Sequence, residues 1–94
     1  MKNKKRVITY LKLIKANIND IEINKEKENN RILRSIELLI ANLKIEEFVN
    51  FTANTIYYNA KEIVNNANNN IYNKYEEYLF DTLNIIDECI VILK

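Results

Sequence analysis

Glycine, proline, histidine and tryptophan are all missing from this 94-residue chain, and cysteine and methionine occur once each. Without glycine, the φ > 0 positions of tight hairpins fall to asparagine or aspartate, which disfavours a sandwich or barrel of many short strands. A phosphate-cradling P-loop, a dinucleotide fingerprint and a calcium loop all need glycine and are excluded with it. The lack of histidine removes the commonest general base, the Ser–His and Cys–His nucleophilic pairs, and the Glu-x-x-His motif of di-iron bundles. Cys89 stands alone, so neither an intrachain disulfide nor a cysteine metal site is expected. No run of 18 apolar residues exists, so no membrane span is expected. The basic start, MKNKKRVITYLKLIKANIND, is interrupted by Lys12 and Lys15 and lacks a small-residue cleavage site. A secretory signal is therefore not expected, and a cytoplasmic setting is.

What the chain does contain is isoleucine, lysine, asparagine, leucine and glutamate, with 48% hydrophobic residues overall. That is enough for one modest core, and a single domain over residues 1–94 is expected. The bias toward asparagine, isoleucine, lysine and tyrosine has the character of an A+T-rich, low-GC microbial genome or one of its phages or mobile elements.

Apolar residues recur at helical spacing in four stripes. The first is Val7, Leu11, Ile14, Ile18 and Ile21, with steps of 4, 3, 4 and 3. NKEKENNR then offers nothing to bury, because Lys25 and Glu28 would fall on the stripe. It reads as a turn in which Asn29 or Asn30 caps the next helix. The second stripe is Ile32, Ile36, Leu39, Ile40 and Leu43. The third is Ile45, Val49, Thr52, Ile56, Ala60, Ile63 and Ala67. A register slip between them places a break near residues 42–45, with Glu46 and Glu47 at the positive end of a new helix. The fourth stripe is Tyr72, Tyr75, Leu79, Leu83, Ile86, Ile90 and Leu93. Before it, NNANNN reads as a turn with Asn70 as N-cap. The expected fold is all-α, a small antiparallel up-down bundle with helices over about 5–23, 30–42, 45–67 and 70–93. A three-helix version with the middle pair fused is the alternative; its long helix would span roughly 57 Å.

Little in the sequence points to catalysis. The acidic pairs Glu46–Glu47, Glu76–Glu77 and Asp87–Glu88 project about 100° apart on a helix and read as solvated faces. The triplet Asn50–Phe51–Thr52 matches a glycosylation acceptor but reads as chance in so asparagine-rich a chain. Acidic neighbours do not activate a thiol, so Cys89 reads as a small core residue. No enzymatic activity, cofactor or metal is expected.

Two surfaces exceed what a bundle needs. Phe51 and Tyr58 lie seven residues apart on the back of the third helix, and Phe80 and Leu38 lie off the stripes of the fourth and second. These four are the candidate protein interface. The other is basic: residues 1–44 carry 11 Lys/Arg against 5 Asp/Glu, and residues 45–94 carry 3 against 8. Lys4, Lys5, Arg6, Lys12, Lys15, Arg31 and Arg34 are candidate phosphate contacts, or the complement of the acidic half. Four further tyrosines, Tyr57, Tyr72, Tyr75 and Tyr78, read as packing residues with wet hydroxyls.

Size and inferred hairpins resemble, at the level of architecture, bacteriocin immunity proteins, phage-encoded inhibitors of host defence and the small helical subunits of CRISPR surveillance complexes. No motif selects among these, and no functional residue carries over. The expected function is that of a non-enzymatic protein-interaction module (inhibitor, immunity factor or adaptor). The alternative is an accessory subunit that binds a nucleic-acid backbone within a larger ribonucleoprotein or defence complex. Another protein is the expected partner, nucleic acid the second, and self-association through the exposed apolar residues a third.

Overall fold

In the computed structural model, which describes residues 1–94, four α-helices follow one another: α1 (Lys4–Asn19), α2 (Glu26–Ile45), α3 (Asn50–Asn68) and α4 (Tyr72–Leu93). The three-helix alternative is set aside, and the longest dimension is 39 Å. Each helix packs on its sequence neighbours and α1 closes the ring against α4, so α2 and α4 sit diagonally across the bundle. The architecture is the expected antiparallel bundle. No helix is long and apolar enough to cross a membrane.

The first stripe performs as its spacing requires. Val7, Leu11, Ile14 and Ile18 are fully buried, joined by Ile36, Leu43, Ile56, Ile63 and Ile86 from the other helices. Each such aliphatic side chain contributes about 1.5–3 kcal/mol by leaving water. Asn3 caps α1 by accepting a hydrogen bond from the Arg6 N–H at 3.0 Å.

The boundaries depart from expectation at every junction, each for a local reason. Helix α1 ends at Asn19 rather than Ile23, although Ile21 is still buried. The Glu22 N–H and C=O, which a longer helix would use, are instead bonded by the Asn29 side chain at 3.1 and 2.7 Å. Helix α2 begins at Glu26, four residues early, so Asn29 and Asn30 lie inside it and cap nothing. Lys25 and Glu28 are exposed. Glu26 and Glu28 in the first turn suit its positive end.

At the α2–α3 junction the break falls at residues 46–49, not 42–45. Ile45 ends α2 on its outer side at 63% exposure and Val49 precedes α3 at 61%, so neither joins the core. Phe48, which belongs to no stripe, is buried in their place. The Phe48 N–H donates to the Leu43 carbonyl at 3.0 Å and the Glu47 N–H to the Lys44 carbonyl at 3.0 Å. That is the Schellman pattern, and it puts Glu47 in the left-handed region at φ 61. Glu46 and Glu47 therefore stand at the negative end of α2, the reverse of the expected placement. Arg6 and Lys2 offset them, at 3.0 and 3.6 Å.

The same device closes α3. Asn70 is at φ 59, with Ile71 N–H on the Asn66 carbonyl at 2.8 Å, so Asn70 ends α3 instead of capping α4. NNANNN is helix up to Asn68. Tyr72, expected in the core, is exposed at the start of α4 with its hydroxyl on Glu76 at 2.7 Å.

A left-handed glutamate costs more than a left-handed glycine. Glu47→Gly should therefore raise stability by about 0.5–1 kcal/mol, the small loss of the exposed Lys2 pair included. Urea denaturation followed by circular dichroism reads the shift directly. A variant less stable than the parent would show that the acid does more than occupy the turn.

Candidate functional site

Helix α3 buries Ala53, Ile56, Ala60, Ile63, Val64 and Ala67. Residues about half a turn from that set must face outward. Phe51 is 80% exposed and Tyr58 54% exposed, two turns apart along this outer line, about 10 Å by helical rise. Thr55 lies between them on one side of the line and turns its hydroxyl back onto the Phe51 carbonyl at 2.9 Å, and the exposed Asn54 lies on the other side. Tyr78 of α4 has its pKa pushed above the ordinary phenol value, first by Tyr58, then by burial and Glu62.

The other two apolar candidates point elsewhere. Leu38, 69% exposed, is on the outer side of α2. The α3-facing side of that helix is marked by Glu37, which accepts from the Tyr57 hydroxyl at 2.7 Å. Phe80, 67% exposed, precedes Asp87 by two turns, and Asp87 is held toward α1 by Lys15 at 2.7 Å. Phe80 therefore leans to the α1 side of α4, away from Tyr78 and Tyr58. The structure brings Phe51 and Tyr58 together and leaves Leu38 and Phe80 on separate faces.

The basic candidates divide as well. Arg6 binds Glu46 and Lys15 binds Asp87, two links between the basic first half of the chain and the acidic second half. Lys4, Lys5, Lys12, Arg31 and Arg34 are exposed and have no carboxylate within 4.0 Å. Lys4 and Lys5 open α1, while Arg31 and Arg34 lie in the half of α2 toward the opposite end of the bundle.

Tyr75 ties one end of the bundle together and Tyr57 links α3 to α2 near their middles. Tyr75 donates its hydroxyl to the Ile21 carbonyl at 2.8 Å, and burial then lifts its pKa. Tyr57 is raised chiefly by its hydrogen bond to Glu37. Lys61 sits 4.7 Å from the centre of the Tyr57 ring. Cys89 is half-buried, and burial followed by the Glu88 charge pushes its thiol up, away from reactivity. No three His, Cys, Asp or Glu side chains converge as a metal-ion ligand set.

Two groups escaped sequence reasoning. Asn29 is fully buried and joins three segments: Glu22, α2 and, through its amide on Asn68 Oδ1 at 2.9 Å, the end of α3. An apolar groove of about 310 Å³ at the opposite end is lined by Met1, Phe48, Val49, Thr52, Cys89, Ile92 and Leu93. Neither has a sequence signature, because both depend on which helix ends meet. No family model, curated protein or solved structure matches this chain.

Proposed function

We propose that the chain is a non-enzymatic interaction module, an inhibitor, immunity factor or adaptor, that binds another protein through the outer face of α3. The observation that carries this reading is the pair Phe51 and Tyr58, aligned on one helix line opposite the core-facing side of α3 and left in water. Large aromatic side chains are the residues that most often dominate protein-binding energy once a partner desolvates them. A rigid helix holds them at fixed spacing, so a partner meets little ordering cost on this side.

Phe51→Ser with Tyr58→Ser tests it. Both positions are exposed, so the helical circular dichroism spectrum should be retained. Loss of two anchors worth about 2 kcal/mol each should reduce recovery of the partner from native cell extract far below the parent's. Undiminished recovery would remove this face. If binding instead disappears when Lys4, Lys5 and Lys12 are neutralised, and weakens steeply with salt, the function belongs to the basic flank and a nucleic-acid backbone.

A further inference from the structure

On α2 the outward line is Lys27, Arg31, Arg34, Leu38, Ala41 and Ile45, with steps of 4, 3, 4, 3 and 4 and every member exposed. It holds three cations and no acid. On α4 the corresponding line is Glu77, Asp81, Asn84, Glu88 and Val91, with Phe80 beside it, again all exposed. It holds three acids and no cation. These charges have almost no partners within the chain. Lys27, Arg31, Arg34, Asp81 and Glu88 take part in no ion pair, and Glu77 has only Lys74 at 4.0 Å.

Because α2 and α4 are diagonal in the bundle, the two lines point in opposite directions. Both helices also run the same way, each being antiparallel to α1 and α3. On α2 the cations occupy the first half and the line closes on Leu38, Ala41 and Ile45, whereas on α4 the acids run from Glu77 to Glu88 and the line closes on Val91. A second copy set beside the first in the same orientation would therefore place its acidic line against the basic one, with apolar residues of both lines within the same contact. The α4 side also offers two shallow depressions of about 500 and 350 Å³, flanked by Phe80 and by Val91, where aliphatic side chains such as Leu38 and Ile45 could seat.

We propose that the outer face of α2 on one copy docks on the outer face of α4 of the next, through opposite charge around an apolar centre. The contact is heterologous, since different surfaces meet, and in one repeated orientation it does not close, so it builds short linear oligomers. One helix face per side is a small interface, so association is weak and concentration-dependent. Its charges make it salt-sensitive, because screening over about 10 Å at 0.1 M salt weakens exposed pairs. This face is distinct from the Phe51–Tyr58 line, and the two stand or fall separately.

The test uses two half-blocked chains, one with Leu38→Asp and Ile45→Asp, the other with Phe80→Ser and Val91→Ser. All four positions are exposed, and circular dichroism checks that each variant is folded. In sedimentation equilibrium at low salt, the parent's average mass should rise with concentration past that of a dimer and fall back when salt is added. Each variant alone should stay monomeric. An equimolar mixture should reach two chains and stop, because only one intact pair of faces remains. A parent that stays monomeric, variants that associate as the parent does, or a mixture no heavier than its components would each overturn the proposal.

Discussion

Asn29→Asp should unfold this protein at temperatures where the parent is stable. The Asn29 side chain is fully buried and all its hydrogen-bonding groups are used. Its Oδ1 accepts from the Glu22 N–H at 3.1 Å, and its Nδ2 donates to the Glu22 carbonyl at 2.7 Å and to Asn68 Oδ1 at 2.9 Å. Aspartate has the same shape but no N–H donors. Ionised, it would face two oxygen acceptors from inside the fold, where a charge without a partner is costly. A loss of about 3–5 kcal/mol is expected, the magnitude seen when a buried charge loses its partner. A domain of this size has roughly 5–15 kcal/mol in total. The midpoint should drop by more than about 12 °C on thermal denaturation, at about 4–8 °C per kcal/mol.

Acidification discriminates the cause. The buried aspartate would have its pKa raised by desolvation, so the variant should recover part of its stability as the pH falls and the carboxyl becomes neutral. Asn29→Ala removes the same bonds without adding charge and should cost about 1–3 kcal/mol, with no such recovery. If Asn29→Asp unfolds within about 1 kcal/mol of the parent, the three-way junction is not a structural clamp.

The second large effect concerns Glu46 and Arg6. Glu46 is buried at the carboxyl end of α2, where the helix dipole is negative and a carboxylate is disfavoured. Arg6 Nη1, 3.0 Å from Glu46 Oε2, is the compensating charge, and its own side chain is largely in water. Arg6→Met should cost about 2 kcal/mol, less than a fully buried pair would lose because water still reaches the site from the Arg6 side. Arg6→Met combined with Glu46→Leu should return most of that, since an apolar pair needs no counter-charge. Urea midpoints for the four members of the cycle give the coupling. Coupling near zero would show that the pair is incidental.

Both clamps lie where helix ends meet, and that is where the sequence was least legible. Helical interiors declare themselves by spacing, so Val7, Leu11, Ile14, Ile18, Ile36, Ile56 and Ile63 could be assigned to the core without coordinates. The same logic found the exposed candidates, since Leu38, Phe51, Tyr58 and Phe80 fall off the stripes. Turns in a glycine-free chain carry no comparable marker. The left-handed positions are Asn24, Glu47 and Asn70, and nothing distinguishes Asn70 from its asparagine neighbours or Glu47 from Glu46. Asn29 and Asn30 are adjacent and chemically identical, yet only the first is fully buried.

By itself, then, the order of residues determined that this chain is helical, where each helix keeps its oily side, and which kinds of catalytic group it does not possess. These are local properties, set by periodicity of 3.6 residues and by which side chains are present. Only the packed structure decided that Arg6 and Lys15 answer acids far along the chain. It alone decided that Phe80 is excluded from the face that Phe51 and Tyr58 share, and that the basic and acidic lines of α2 and α4 look outward on opposite sides. Those facts depend on the rotation and neighbours of each helix about the bundle axis, which are fixed by contacts between residues dozens of positions apart.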